Sequence, residues 1–179
     1  MPLLRLLPVE ESARLGEKLG VLDWLATANI FRGLLNSPSA ASAVYGVLDA
    51  LFFHSTVAAR TRELVILRIG WRTGSEYVFC NHVRISRELG IADNEILGVR
   101  DPERCAAYSE TDRQVITLAD ELHESTQVTP ATWAALEKVF TPEELVELVV
   151  IAGCWRAIAG FVKTAGIPLD DDTPSWPEG

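Results

Sequence analysis

Helix start and stop signals recur along the whole chain, and they constrain its fold more than any other feature. Apolar residues repeat with a period near 3.6, whereas strand signals are nearly absent. Ser75 is a natural N-cap, and Thr129-Pro130 and Thr141-Pro142 each place proline at a first helical position. Gly74 and Gly90 follow apolar helical patterns as stop signals. The sequence therefore predicts an all-α protein with about seven to nine helices.

The same signals give approximate bounds for the helices. Residues Thr111–Gln114 fit a capping box, which would open one of them. The chain has 179 residues, enough for one hydrophobic core, and neither a linker nor a low-complexity segment interrupts it. We therefore predict a single domain over residues 1–179. The predicted helices are Glu10–Leu19, Leu22–Leu35, Ala40–Phe53, Ala58–Arg72, Glu76–Leu89, Asp93–Val99, Thr111–Ser125, one starting at Thr129-Pro130, and Pro142–Thr164.

The charge of the chain bears on its partners. Its formal net charge is −9 at pH 7, which disfavours binding to nucleic acids and to anionic membrane surfaces. The most apolar stretch, Leu145–Ala165, is interrupted by Glu147, Arg156 and Lys163. It lies between a capping box and a Gly-Ile-Pro exit, so we predict a buried core helix rather than a membrane span. We expect no nucleic-acid partner and no membrane partner.

The cysteines and the first residues of the chain bear on its location. Cys80, Cys105 and Cys154 are odd in number, widely spaced and form no Cys-x-x-Cys pair. This favours free thiols in a reducing compartment. Met1–Val9 has too short an apolar run for a signal peptide. We therefore expect a cytoplasmic protein.

Residues 62–90 contain the side chains best suited to chemistry. Glu63 lies in an apolar helix and needs a partner there, because buried acids are rare unless paired. His82 follows on the next helix, where it shares a stripe with Ser75 and Val78. Cys80 is roughly 200° away around that helix, on nearly the opposite face. The sequence thus predicts a proton-transfer pair of Glu63 and His82, and a poor match between His82 and Cys80.

Tyr77 lies on the same helix, roughly 140° from His82, where it can rim a pocket. With these residues the segment reads Arg62-Glu63-Leu64, then Gly-x-x-Tyr-x-x-x-x-His, then Arg-Glu-Leu-Gly. It resembles the carboxymuconolactone decarboxylase and alkylhydroperoxidase D (AhpD-like) superfamily, most closely over residues 58–99. The resemblance implies a single all-α AhpD-like domain that assembles as a homo-oligomer, usually a trimer or hexamer.

The resemblance also implies roles for individual residues. Superfamily members that reduce hydroperoxides use a Glu and a Cys-x-x-Cys-x-x-x-His motif as a proton relay. Matched through the histidine, the acid falls on Glu63, an intermediate relay residue on Tyr77, and the two cysteine positions on Ser75 and Val78. A thiolate is the nucleophile in thiol peroxidation, and neither serine nor valine replaces it at neutral pH.

We therefore weigh three functions. The leading one resembles carboxymuconolactone decarboxylase: cofactor-free acid–base chemistry on a small organic acid or lactone. His82 would be its general acid/base, Glu63 its orienting partner and Tyr77 a hydrogen-bond donor, with Arg62 and Ser75 binding the substrate. The second is an AhpD-like peroxidase-related antioxidant protein that relies on Cys80. The third is a non-catalytic oligomeric scaffold.

Three features of the sequence also have plain structural interpretations. A histidine satisfied by a buried acid is stable without any catalysis, so His82 has a non-catalytic interpretation as well. His123 lies among acidic residues on a solvated face, with no closed set of ligands, and we predict no metal site there. The acidic tail that begins at Leu169 ends in Trp176-Pro177. Trp176 either anchors on this or a neighbouring subunit or belongs to a frayed terminus.

Overall fold

The protein is described by a computed structural model over residues 3–176. This range contains ten α-helices and no β-strand, which confirms the all-α prediction. Residues 1, 2 and 177–179, which include Pro177 of the tail, lie outside the described range. The helices are α1 Val9–Leu19, α2 Asp23–Ala26, α3 Asn29–Leu34, α4 Pro38–Phe53, α5 Ala59–Thr73, α6 Glu76–Glu88, α7 Asp93–Gly98, α8 Glu110–Ser125, α9 Pro130–Leu136 and α10 Pro142–Ala165.

Most of the predicted helix boundaries are confirmed by the caps. The Ser75 hydroxyl accepts a hydrogen bond from the backbone N–H of Val78 at 3.4 Å, which fixes the start of α6. Thr129 caps α9, and Thr141 forms a capping box at the start of α10. Gly74 ends α5 with φ +60°, a conformation that favours glycine. The α5–α6 turn is therefore encoded locally.

Two predicted boundaries are wrong. Leu22–Leu35 is not one helix, because Ala28 is extended and separates α2 from α3. The N–H of Asn29 then donates to the carboxylate of Asp170 at 2.6 Å, and this partner is too distant in sequence for local periodicity to reveal it. The helix predicted to open at Thr111 instead begins at Glu110, with a capping box formed by Ser109 and Asp112.

Helix α5 lies at the centre of the packing. Residues Arg62–Gly70 are all buried, and α5 packs against α6, α8 and α10. Gly70 permits the approach to α6, because a Cβ atom there would lie 3.0 Å from the backbone nitrogen of Phe79. Glu63 is seven residues before Gly70 and therefore projects from nearly the same stripe of α5. The close crossing thus brings the Glu63 side of α5 towards α6.

Helix α6 separates two hydrophobic clusters. Tyr77 and Val78 pack into the larger cluster, which contains much of α3, α4, α5 and α10. Phe79, Cys80 and Val83 pack into a smaller cluster, with residues from the α7 and α8 region. The two faces of α6 therefore have different surroundings, which matters for the chemistry of its side chains.

Among the helices in residues 3–176, α10 is the one that is long and apolar enough to cross a membrane, judged by length and composition alone. In its most apolar window, 44% of the residues are buried inside the protein. Long core helices of soluble proteins have the same composition. The packing of α10 against α5, α8 and α6 fits such a core helix.

The segment after α10 folds back along α6. Thr173 is buried, and its hydroxyl bonds to the side-chain oxygen of Asn81 at 3.2 Å. Trp176 packs against Phe79, with 5.0 Å between ring centroids, and against Trp71 at 5.8 Å. Within the described residues, Trp176 therefore anchors the segment on its own chain.

Candidate active site

Glu63 and His82 meet in the interior, as predicted from the sequence. The Nδ1 atom of His82 lies 2.6 Å from Oε2 of Glu63. Glu63 is 0% exposed, whereas His82 is 6% exposed. A buried carboxylate carries a large desolvation cost unless charged or hydrogen-bonding partners compensate it. The pair is therefore a close, charge-assisted contact between α5 and α6.

A third residue, Trp155 of α10, fixes the protonation pattern of the pair. Its indole Nε1–H lies 2.8 Å from Nε2 of His82. An indole nitrogen can only donate a hydrogen bond, so Nε2 must be the acceptor and carry no proton. The proton of a neutral imidazole then sits on Nδ1, from which it is donated to Glu63. The geometry thus assigns the Nδ1–H tautomer to His82.

Arg62 completes the group from the other side. Its Nε donates to Glu63 at 3.2 Å, and its guanidinium lies 4.6 Å from the ring centroid of Phe52. Another nitrogen donates to the backbone carbonyl of Leu51 at 3.3 Å. Arg62 is 6% exposed and does not line the cavity described below. Substrate binding by Arg62 stays a prediction; in this structure its donors already serve Glu63 and the backbone.

A cavity of about 880 Å³ opens onto His82. Phe52 stacks on the imidazole with ring planes 16° apart, and Trp155 meets it edge-on at 81°. Both aromatic residues line the cavity, as does Ile158 of α10. The size is within the range of small-molecule sites. The pair is thus buried but not sealed, so a small molecule in the cavity can reach the imidazole.

Tyr77 also lines the cavity, but its hydroxyl proton is already in use. The hydroxyl donates to Asp170 at 2.6 Å and accepts from the backbone N–H of Ile30 at 3.2 Å. Burial, together with the charge of Asp170, raises the pKa of Tyr77 well above its usual value. Tyr77 is therefore a neutral phenol that ties α6 to the C-terminal segment. To act as the hydrogen-bond donor predicted from the sequence, Tyr77 would first have to break its hydrogen bond to Asp170.

Ser75 and Cys80 both lie away from the cavity. Ser75 is 0% exposed and serves as the N-cap of α6, and its role in substrate binding stays a prediction. Cys80 is buried in the smaller cluster, on the other face of α6 from His82. Burial and the nearby charge of Glu76 raise the pKa of the Cys80 thiol to about 11. The structure thus gives no support to a nucleophilic Cys80 acting with His82.

Three residues of the site were not found from the sequence. Phe52, Trp155 and Asp170 come from α4, α10 and the C-terminal segment, outside the α5–α6 motif, and the last two are far from it in sequence. In an apolar helix a tryptophan looks like any other core residue, so Trp155 carried no distinguishing signal. Among residues 3–176, no group of three or more His, Cys, Asp or Glu side chains is placed to hold a metal ion.

Comparisons with known proteins agree with the fold. The model of the carboxymuconolactone decarboxylase family matches residues 38–121. No curated protein sequence matches the chain. A peroxidase-related protein from Silicibacter has a TM-score of 0.76 at 15% identity, covering 96% of this chain and 91% of that one. An alkylhydroperoxidase AhpD core protein from Ralstonia eutropha has a TM-score of 0.75 at 20% identity, covering 96% and 92%.

A third structure, a protein of unknown function from Agrobacterium tumefaciens, has a TM-score of 0.72 at 19% identity and covers 77% of this chain and 95% of its own. Together with the family match, these helical folds agree with the motif in α5 and α6. Residues 38–121, which contain α5 and α6, thus match the carboxymuconolactone decarboxylase family, and the fold around them is that of AhpD-like proteins. The resemblance found in the sequence is thereby confirmed, and so is the AhpD-like helical fold.

Proposed function

We propose that the protein is an enzyme that uses His82 as a general acid/base on a small organic molecule, without a cofactor. The observation that carries this proposal is the open cavity at His82, whose Nδ1–H is held by a fully buried Glu63 at 2.6 Å. A structural histidine–acid pair needs no cavity. The alternative of a non-catalytic scaffold is therefore less well supported.

The chemical step follows from the tautomer. The unprotonated Nε2 takes a proton from a weakly acidic group of the substrate, which leaves an anionic substrate and an imidazolium. The carboxylate of Glu63 stabilises the imidazolium through Nδ1–H, as acids do for histidine bases. Return of the same proton to another atom of the substrate completes a double-bond shift. No oxidant, reductant or metal enters this step.

Trp155 must give way for this step to occur. Its N–H occupies the Nε2 lone pair, so the substrate has to replace one hydrogen bond with another. Leaving the indole N–H without a partner would cost about 1–3 kcal/mol. The substrate regains this energy only if it supplies both a donor to Nε2 and an acceptor to the indole.

The peroxidase alternative lacks a supporting observation. It would need a thiolate at the cavity, but Cys80 does not line the cavity and its thiol pKa is about 11. Burial also raises the pKa of Cys154. The side chains at the two cysteine positions of the motif are Ser75 and Val78, which have no sulfur.

The test is proton exchange on candidate lactones and related compounds in deuterated water, followed by proton NMR. We expect wild-type protein to incorporate deuterium or shift a double bond, and His82→Gln to be slower by about 10²–10⁴-fold. His123→Gln is the matched control, because His123 lies on α8 outside the cavity. Equal rates for wild type and His82→Gln would refute the proposal.

We also propose a homo-oligomer in the cytoplasm, as the superfamily resemblance implies. Large apolar side chains are exposed on the described surface, among them Trp24 at 60% and Val146 at 61%. Such side chains, when clustered, are typical of association surfaces. Sedimentation that finds only monomers at micromolar concentration would contradict the oligomer.

A further inference from the structure

The part of the cavity around His82 is apolar. Apart from the imidazole, its neighbours include the rings of Phe52 and Trp155, and the α10 and α6 side chains Ile158 and Val78 also line the cavity. Trp155 and Ile158 are themselves buried. A charged ligand group placed here would lose its water without gaining a counter-ion. The wall therefore disfavours a carboxylate beside His82.

The charged side chains that line the rest of the cavity also disfavour a carboxylate ligand. Two arginines line it, Arg32 and Arg84; both donate hydrogen bonds within the protein, although the buried Nε of Arg84 has no hydrogen-bond partner among the described residues. Arg32 donates to the carbonyl of Leu7 at 2.8 Å and to the side chain of Asn29 at 2.7 Å, and Arg84 donates to Glu88 at 2.8 Å. Asp170–Asp172 line the same cavity, so with His82 neutral the lining carries two positive and three negative charges, a net charge of −1.

The hydrogen-bonding pattern sets a third requirement. Nδ1 of His82 donates to Glu63, and Nε2 accepts from Trp155. A ligand that displaces the indole from Nε2 must therefore donate a hydrogen bond to this nitrogen. A carboxylate at neutral pH has no proton to donate, and it would face the lone pair of Nε2. A hydroxyl or ring N–H satisfies the lone pair directly. Such a group also carries the weakly acidic proton that the proposed chemistry needs.

We propose that the ligand of this cavity is an uncharged, largely apolar molecule with one weakly acidic O–H or N–H group, which binds at Nε2 of His82. Phenols and N–H heteroaromatic rings are the simplest members of this class. The inference rests on the proposed function and narrows it, because among small organic molecules it selects uncharged hydrogen-bond donors as substrates and excludes carboxylates.

Three probes of matched shape test this class by calorimetry at pH 7. They are 4-methylphenol, the 4-methylbenzoate anion and 4-methylanisole, which has neither a charge nor a donor. We expect 4-methylphenol to bind at least about tenfold more tightly than the other two, a margin of about 1.4 kcal/mol. Equal or tighter binding of 4-methylbenzoate, or no binding of 4-methylphenol, would overturn the inference.

Two substitutions on α10 locate the binding. Ile158→Trp should fill the cavity and weaken 4-methylphenol binding at least about tenfold. Ala157→Trp, at an exposed position of the same helix outside the cavity, should leave it unchanged. Equal binding by both variants would place the probe elsewhere and overturn the inference. Binding and turnover are separate measurements: 4-methylbenzoate preference refutes the ligand class, whereas His82→Gln with full turnover refutes the enzyme.

Discussion

At the scale of single residues, the site is a chain of four side chains: Arg62, Glu63, His82 and Trp155. Each link has a clear direction, because arginine and indole nitrogens only donate and the Glu63 carboxylate only accepts. The distances are 3.2 Å from Arg62 Nε to Glu63, 2.6 Å from Glu63 to His82 Nδ1, and 2.8 Å from His82 Nε2 to the Trp155 indole nitrogen. Because Arg62 and Trp155, at the two ends of this chain, can only donate, the proton of His82 lies on Nδ1, between them and facing Glu63.

The first residue-scale prediction concerns Cys80. With a thiol pKa of about 11, only about one molecule in a thousand carries the thiolate at pH 8. Iodoacetamide should therefore alkylate Cys80 far more slowly than a free thiol, in a Cys105→Ser/Cys154→Ser background read by mass spectrometry. Raising the pH towards 11 should accelerate the reaction. Alkylation at pH 8 as fast as that of free cysteine would contradict the burial argument.

The sequence could identify the Glu63–His82 pair because both residues lie in one local motif. Helical spacing also separated Cys80 from His82, as the structure does. It could not identify Trp155 or Asp170, since nothing in their local sequence indicates which distant side chain they contact. Local sequence also does not reveal that Arg62 donates to backbone carbonyls, although it does identify Ser75 as the N-cap of α6.

At the scale of elements, the approach of α5 to α6 decides whether the pair forms. A Cβ atom at Gly70 would lie 3.0 Å from the nitrogen and 3.1 Å from the Cα of Phe79, and backbone atoms cannot easily move aside. Gly70→Ala should therefore destabilise the fold by about 1–3 kcal/mol in urea unfolding.

The matched control for Gly70→Ala is Gly46→Ala on α4. A Cβ atom at Gly46 meets nothing within 4 Å, so alanine should be neutral or stabilising by up to about 1 kcal/mol. If both variants had the same unfolding free energy as wild type, the close crossing would not limit the packing of α5 and α6.

The connection between α4 and α5 gives a prediction about pH. Glu147 of α10 accepts hydrogen bonds from Ser55, Thr56 and Val57 in this connection, at 2.7 to 3.1 Å. Burial acts to raise the pKa of Glu147, but these hydrogen bonds outweigh it and lower the pKa below its usual value. The stabilisation is therefore present above the unfolded pKa and lost as the pH falls through the folded one.

Glu147→Gln should accordingly reduce the free energy of unfolding by about 1–2 kcal/mol at pH 7. The difference from wild type should shrink as the pH falls from the unfolded pKa of about 4.3 through the lower pKa of the folded state, below which the carboxylate is protonated in both states. Glu103→Gln, at an exposed position, is the control and should change little at either pH. A Glu147→Gln difference that grows on acidification would have the wrong sign for this account.

At the scale of the whole molecule, the C-terminal segment connects two helices that are far apart in sequence. Asp170 accepts from the N–H of Asn29 and from the hydroxyl of Tyr77, both at 2.6 Å, so it connects α3 with α6. This connection also explains why one predicted helix is two, since α3 starts where Asp170 can accept from it. The all-α architecture follows from local patterns, whereas this connection depends on the complete fold.

Asp170→Asn tests the connection. An amide can accept one of the two hydrogen bonds but places N–H donors against the other donor, so we expect a loss of about 1–3 kcal/mol in the free energy of unfolding. Asp171→Asn is the control, because Asp171 is exposed and the hydrogen bonds to Asn29 and Tyr77 are made by Asp170 instead. Equal stability of the two variants would show that the segment is not held through Asp170.

The most direct measurement of the central claim is ¹⁵N NMR of the histidine side chains, assigned with His54→Gln and His123→Gln. At pH 7 the account predicts that His82 carries its proton on Nδ1, that Nε2 is unprotonated, and that 4-methylphenol shifts the Nε2 resonance but not those of the other histidines. A proton on Nε2, or an Nε2 resonance that does not respond to the probe, would contradict a neutral base held by Glu63 and open to the cavity.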